Sequence, residues 1–189
     1  LENVVRLRGT VDSGYGRGGK KLGFPTANLP SSLFQTALDK IPTGVYFGWA
    51  LIEGTGSSLP HKAAVNVGYS PTFEGKENME KIVEAHLILG DEDPPLADFY
   101  GKVMRLSLLS FLRPEQKFNS FLELIQAITT DIANAKESLD REPYVSFRMD
   151  GFLTEASVTW IGRNGGDESA SWEFEPSAIA RTKIKGLAE

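Results

Sequence analysis

The sequence predicts a mainly β protein, either a closed barrel or a sandwich, with one long helix outside it. Five β-prone runs are joined by turns with no helical segment between them, and they cover residues 4–11, 44–52, 61–68, 82–89 and 103–111. Strands joined in this way favour an antiparallel barrel or sandwich over a sheet of alternating strands and helices. Apolar residues at three- and four-residue intervals between positions 118 and 139 indicate the helix.

Alternation of side chains supports two of these strands. In residues 44–52, Val45, Phe47 and Trp49 fall on one face and small residues fall on the other. In residues 82–89 one face of the strand is apolar, and Glu84 and His86 project together from the opposite face, which also holds Ile82 and Ile88. Residues 54–60 form a turn that makes a hairpin of the second and third strands.

The helix has a clear start and an apolar side. Ser120 followed by Glu123 fits a capping box. The apolar residues that should share one side, and pack on the outside of the barrel, are Phe118, Phe121, Leu122, Ile125, Ile128, Ile132, Ala135 and Leu139.

The chain changes character after residue 140. Two β-prone runs, 156–162 and 169–174, surround Asn164-Gly165-Gly166-Asp167, which indicates a β-hairpin. We therefore divide the chain into a domain at residues 1–140 and a C-terminal extension at residues 141–189, with a flexible tail. Between residues 28 and 42 we expect a connection that has room for one turn of helix near residues 33–38.

Composition excludes several classes of protein. The net charge of −5 argues against a general binder of nucleic acid or anionic membranes. With no cysteine there is no disulfide scaffold, thiolate nucleophile or cysteine-containing zinc site. No apolar run reaches the ~18 residues of a membrane span, and the start lacks the pattern of a signal peptide. We expect a cytoplasmic monomer.

A glycine-rich stretch at residues 14–28 is the strongest signal for a ligand. It runs Gly-Tyr-Gly-Arg-Gly-Gly-Lys-Lys-Leu-Gly-Phe-Pro-Thr-Ala-Asn. Glycines let backbone amides approach an anion, two lysines can neutralise it, and Thr26 with Asn28 offers uncharged oxygens to a hard cation. We interpret the stretch as a phosphate-binding loop. The alternative is a flexible turn with two solvated lysines.

Two familiar phosphate motifs overlap this stretch, and we exclude both. Gly14, Gly19 and Lys20 fit the start of G-x-x-x-x-G-K-[ST], and three glycines fit G-x-G-x-x-G. Both motifs need a helix directly after the glycines, and one glycine and two prolines at positions 23–30 prevent it. Lys21 also stands where the first motif needs a hydroxyl group.

Four segments, taken together, resemble a known family. They are Gly14-x-Gly-x-Gly-x-Lys-x-Leu-Gly-Phe-Pro-Thr-Ala-Asn, Gly44-Val-Tyr-Phe-Gly-Trp-Ala, Glu84-Ala-His86 with Asp98-Phe-Tyr-Gly, and Arg113-Pro-Glu-Gln-Lys-Phe118. In this order, over residues 4–139, the chain resembles riboflavin kinase. The resemblance implies a six-stranded Greek-key closed β-barrel with peripheral helices. It also implies ATP:riboflavin 5′-phosphotransferase activity, which forms FMN and ADP.

The resemblance assigns roles by matching positions. Thr26 and Asn28 match the ligands of a metal held with ATP, which we expect to be Mg²⁺, with Zn²⁺ and Mn²⁺ as alternatives. Glu84 matches the catalytic residue. The remaining matches are Gly14 and Lys20 for a flap over the nucleotide phosphates, Leu87, Leu89 and Tyr100 for ATP, and Arg113, Gln116 and Phe118 for the flavin.

Each assignment has a structural alternative. Glu84 could be a solvated strand residue, Phe118 the apolar end of the helix, and Arg113 a surface charge. The acidic segment at 91–97 is longer than the family pattern needs, which affects the spacing around Leu89.

Two other functions compete with the kinase. A non-catalytic flavin or nucleotide carrier or sensor would not need Thr26, Asn28 and Glu84 together. A barrel that binds single-stranded nucleic acid would need a basic groove with interleaved aromatic residues, which the net charge does not support.

Overall fold

The computed structural model describes residues 3–12, 26–30, 32, 34–55, 59–69, 81–90, 96, 98–155 and 171–176. The strands are β1 Asn3–Thr10, β2 Thr26–Leu29, β3 Gly44–Ile52, β4 His61–Tyr69, β5 Lys81–Ile88, β6 Val103–Arg113 and β7 Ser171–Pro176. The helices are α1 Gln35–Leu38, α2 Phe121–Leu139, a 3₁₀ helix Val145–Met149 and α3 Gly151–Thr154. No helix in these ranges has both the length and the apolar character needed to cross a bilayer.

The strands form one curled antiparallel sheet in the order β2-β5-β4-β3-β6-β1-β7. Beyond the end of β1, Asp12 forms an isolated bridge with Asn28 of β2, which lies at the other end of that order. The prediction of a mainly β fold with peripheral helices is confirmed. The closed barrel and the Greek-key order remain predictions.

Inside the curl lies the main hydrophobic core. Alternate residues of β1 to β6 point into it, so Val83, Ala85 and Leu87 of β5 lie beside Val65 and Val67 of β4. The inward residues of β3 include Tyr46, whose hydroxyl donates to the Pro42 carbonyl at 2.6 Å.

A second hydrophobic cluster covers the opposite side of the sheet, here called the outer face. Phe47 and Trp49 of β3 pack there with Ala135 and Leu139 of α2. Strand β3 is therefore buried on both faces, while β5, on the far side of β4, keeps the polar residues Glu84 and His86 outward. The prediction that α2 packs outside the sheet is confirmed for its C-terminal half.

The start of α2 departs from the expected apolar contact. Ser120 caps the helix as predicted, since its side chain accepts from the Glu123 backbone amide at 3.2 Å. Phe121 and Leu122, however, are 63% and 64% exposed. The expectation that they pack on the sheet is wrong, because the second cluster meets the helix only from its middle onward.

Strand β2 was not predicted as a strand. Residues 26–28 were assigned to the ligand loop and residues 28–42 to a connection, yet Thr26–Leu29 pair with β5. Ala27 and Leu29 enter the core, while Thr26 and Asn28 alternate with them. The expected helical turn is present as α1.

The beginning of the C-terminal extension packs against the sheet. The Tyr144 ring meets Phe47 edge-on at 4.8 Å between centroids, and the Tyr144 carbonyl accepts from Trp49 Nε1 at 2.9 Å. Strand β7 pairs with β1. Residues 156–170 of the expected hairpin lie outside the described ranges. The boundary between domain and extension at residue 140 remains a prediction.

Two arginines on the outer face, Arg6 and Arg105, hold this extension. Arg6 donates to Asp150 at 2.6 Å, and Arg105 donates to the carbonyls of Phe152 and Glu155. Arg105 and Arg8 also both donate to Glu53. Burial acts to raise the pKa of Glu53, but these hydrogen bonds and positive charges outweigh it and hold the pKa below its ordinary value.

Candidate active site

A row of polar residues crosses the outer face of the sheet. In the antiparallel register, Glu84 of β5 lies opposite Asn28 of β2 on one side and Asn66 of β4 on the other. Directly paired residues of neighbouring strands project to the same face. The row therefore brings a carboxylate between two carboxamides, while the inward neighbours of all three fill the core.

Thr26 fixes the orientation of the carboxylate in this row. It lies two residues before Asn28, on the same face of β2, and its Oγ1 donates to Glu84 Oε1 at 2.8 Å. Both side chains are half-buried. A charge-assisted hydrogen bond of this kind holds one carboxylate oxygen in place. The second oxygen, Oε2, makes no hydrogen bond to any of the residues described.

The side-chain oxygen atoms beside Glu84 are suitable ligands for a hard cation. The Thr26 hydroxyl gives its proton to Glu84, so its lone pairs stay available, and the Asn28 amide supplies a second neutral oxygen. Oxygen ligands of this type suit Mg²⁺ when substrate phosphates and waters complete the shell. Within the described ranges there is no group of three or more histidines and carboxylates close enough to bind a metal by themselves.

The positions matched to ATP contacts differ in their surroundings. The Leu87 side chain is buried in the core, so contact with a nucleotide there is limited to backbone atoms. Leu89 follows the end of β5 and is half-buried. Tyr100 packs partly against the core beside Phe99, with 5.8 Å between ring centroids. Gly14 and Lys20 lie outside the described residues.

The positions matched to the flavin lie together at the end of β6. The Arg113 guanidinium carbon sits 5.9 Å from the centre of the Phe118 ring. Arg113 also lines a cavity of about 200 Å³ with Gln116. Its other lining residues are Leu112, Ala127, Thr130, Asp131 and Asn134.

Asp131 of α2 holds Arg113 in place and was not predicted. Arg113 Nε and Nη2 donate to the two Asp131 carboxylate oxygens at 2.8 and 2.7 Å, and the Asp131 side chain is only 10% exposed. Such a two-point contact fixes the plane of the guanidinium group. A sequence signal existed, because Asp131 falls between Ile128 and Ala135 on the apolar side of the helix, where an acid needs a partner.

The flavin-matched group and Glu84 belong to one stretch of the outer face. Arg113 pairs with Val45 of β3, Val45 with Asn66, and Asn66 with Glu84. Three spacings between strands separate Arg113 from Glu84, which is about 14 Å at ~4.8 Å each. A ligand of flavin size can therefore span both ends.

Comparison with known proteins identifies the family. A model of the flavokinase family, described as riboflavin kinase, matches residues 1–139. The chain belongs to the riboflavin kinase family. The resemblance drawn from the four sequence segments is thus confirmed, and with it the assignment of the protein as a kinase.

Individual riboflavin kinases match most of the chain. Those of Mus musculus and Homo sapiens are 38% and 37% identical over 146 residues, covering 77% of this chain and 88% of theirs. That of Pyricularia oryzae is 34% identical over 185 residues, covering 91% of this chain and 87% of its own. The riboflavin kinase family implies ATP as co-substrate together with a divalent metal.

A solved riboflavin kinase supports the fold. The crystal structure of riboflavin kinase from Trypanosoma brucei aligns with a TM-score of 0.63 at 22% identity, covering 92% of this chain and 95% of that one. It agrees with the mainly β architecture. The roles matched to individual residues of this chain remain predictions.

Proposed function

We propose that the protein transfers the γ-phosphate of ATP to the 5′-hydroxyl of riboflavin, forming FMN and ADP. The observation that carries the proposal is the contact between Thr26 Oγ1 and Glu84 Oε1, which sets a carboxylate beside two neutral metal-type donors. Phosphoryl transfer needs mainly positioning and neutralisation of charge. The family membership of the chain supports the same reaction.

Glu84 acts as the general base in this proposal. Thr26 holds Oε1, so Oε2 can accept the proton of the riboflavin 5′-hydroxyl. The 5′-oxygen then bonds to the γ-phosphorus, and the bond between that phosphorus and the bridging oxygen of ADP breaks. A positioned base contributes roughly 10²–10⁴ in rate. The half-buried position of Glu84 leaves it within reach of a substrate on the outer face.

Thr26 and Asn28 hold Mg²⁺ together with the nucleotide phosphates. When bound, the ion neutralises the charge on the phosphates. Since both protein ligands are neutral, Mg²⁺ affinity without nucleotide should be low. Gly14 and Lys20 contact the phosphates from the glycine-rich loop, and Leu87, Leu89 and Tyr100 lie beside the nucleotide.

Arg113, Gln116 and Phe118 bind the isoalloxazine ring at the other end of the site. The cavity that Arg113 and Gln116 line, the Phe118 ring beside Arg113, and the guanidinium held by Asp131 support this placement. Aromatic and guanidinium planes suit a flat polar ring system.

The direct test is incubation with riboflavin, ATP and Mg²⁺, followed by chromatography of the flavins. We expect FMN, and none when ATP is omitted. Riboflavin that is bound but returned unchanged would contradict the proposal and favour the carrier or sensor.

A further inference from the structure

The outer face between Glu84 and Arg113 carries two polar side chains that the proposed roles do not use. Asn66 lies opposite Glu84 on β4 and is half-buried. Glu115 lies in the segment between β6 and α2, two residues after Arg113. Neither side chain has a hydrogen-bond partner among the residues described.

Gly68 shows where the Glu115 carboxylate sits. A Cβ atom built on Gly68 would meet Glu115 Oε1 at 1.8 Å and Oε2 at 3.2 Å, so the carboxylate occupies the space of the absent side chain. Positions 66 and 68 share one face of β4, because Val67 between them is fully buried in the core. Glu115 therefore lies on the outer face one step along β4 from Asn66.

These positions lie where a flavin side chain would pass. In the proposed function the 5′-hydroxyl is at Glu84 and the ring is at Arg113, and the two positions are joined through Asn66. The ribityl chain between them carries three further hydroxyl groups. A carboxylate accepts hydrogen bonds from such groups, and a carboxamide both donates and accepts.

We infer that Asn66 and Glu115 form a polyol subsite that binds the 2′-, 3′- and 4′-hydroxyls of the riboflavin side chain. The subsite selects flavins with a polyhydroxylated chain over flavins with a plain alkyl chain. Groups placed to pair with a substrate hydroxyl discriminate strongly against an analogue that lacks it, because the polar groups of the protein are then left unpaired. The inference rests on the proposed function.

The test compares riboflavin with a flavin that carries a 5-hydroxypentyl chain at N10. This analogue keeps the terminal hydroxyl and the ring but lacks the other three hydroxyls. We expect wild-type kcat/KM to be at least tenfold higher for riboflavin. Glu115→Gln and Asn66→Ala should each reduce that ratio severalfold through loss of riboflavin activity, with KM for ATP unchanged. Glu137→Gln, an exposed glutamate of α2, is the matched control and should keep the wild-type ratio.

Gly68→Ala provides a second variant that leaves both side chains in the sequence. The added methyl group collides with the end of the flexible Glu115 side chain, so the carboxylate is displaced while the strand can stay in place. We expect the same loss of preference for riboflavin.

The outcomes separate this inference from the proposed function. Wild-type protein that phosphorylates neither flavin would contradict the proposed function itself. Wild-type protein that phosphorylates both flavins equally, or variants that lower both activities by the same factor, would overturn the polyol subsite and leave the kinase assignment intact.

Discussion

The hydrogen bond between Thr26 and Glu84 joins two strands that lie far apart in sequence. Alternation within β5 was enough to predict that Glu84 projects away from the core. That it meets Thr26 depends on the pairing of β2 with β5. The family resemblance assigned both residues to one site before the register was known. Alternation alone predicts the face on which Glu84 projects, but not which residue it contacts.

Removal of the Thr26 hydroxyl tests what this contact does. Thr26→Val has nearly the same shape, so the strand should form, but Glu84 loses its hydrogen-bond donor and the proposed metal site loses one of its two protein ligands. Hydrogen bonds to charged groups contribute about 1.5–3 kcal/mol, so we expect FMN formation to fall at least tenfold. Thr26→Ser keeps the hydroxyl and should retain most of the rate. A wild-type rate in Thr26→Val would exclude a role for this hydroxyl.

Glu53 gives a prediction about stability and pH. Its folded-state pKa lies below the ordinary value of 4.5 despite burial, because Arg8 and Arg105 stabilise the charged form. The stabilisation is therefore present above about pH 4.5 and is lost as the pH falls through the folded-state pKa.

Glu53→Gln mimics the protonated carboxyl group. We expect it to lower the free energy of unfolding by about 1–2 kcal/mol at pH 7, and urea denaturation should show the difference from wild type shrinking at pH 3. A difference that is the same at both pH values would show that the charge of Glu53 is not responsible.

At the scale of elements, the length of a strand determined whether it was predicted. The strands of eight or more residues were found within a few residues of their observed ends, because alternation over that length is clear. Strand β2 has four residues, next to Pro25 and Pro30, and its polar members were interpreted as ligand residues. Membership of the strand is compatible with a role as metal ligands, and that role remains a prediction.

Helix α2 supplies Asp131, which orients Arg113 at the end of the site where we propose that the flavin ring binds. Asp131→Asn keeps the volume of the side chain but removes the charge that orients Arg113. We expect KM for riboflavin to rise about tenfold, corresponding to about 1.4 kcal/mol, with KM for ATP unchanged. Steady-state kinetics with each substrate varied in turn would measure this.

Asp140→Asn, at the residue that caps the C-terminus of the same helix, is the matched control. Asp140 pairs with Lys62 at 2.5 Å, but its side chain is 61% exposed, and exposed pairs contribute little. It should leave both KM values unchanged. An equal rise of both KM values in Asp131→Asn would indicate a general loss of structure instead of a role in flavin binding.

At the scale of the whole molecule, the first part of the C-terminal extension belongs to the folded core. The sequence changes character after residue 140, which led to the assignment of residues 141–189 to an extension outside the domain. The 3₁₀ helix and α3 are too short for periodicity to reveal them. They pack on outward apolar residues of β3. The sequence alone did not indicate which apolar segment of the chain would cover those residues.

Tyr144→Ala tests this packing. The ring is half-buried against Phe47, so we expect a loss of about 2 kcal/mol in the free energy of unfolding. Met149→Ala removes a side chain from the same segment that is 65% exposed, and it should cost less than about 0.5 kcal/mol. Equal stabilities of wild type and Tyr144→Ala in urea denaturation would show that the segment is not part of the core.

The site as a whole could be predicted only in part. The resemblance supplied residues from four separate segments, because short motifs carry ligand chemistry. Asn66 and Asp131 were missed, since their positions become informative only when the cross-strand register and the face of α2 are known.

The rate of FMN formation by Glu84→Gln tests the central claim most directly. The substitution removes a charge and a proton acceptor while preserving shape, and Glu137→Gln controls for the loss of a glutamate elsewhere. We expect a folded protein whose rate falls by roughly 10²–10⁴, while Glu137→Gln keeps the wild-type rate. A folded Glu84→Gln variant with more than half of the wild-type rate would contradict the account.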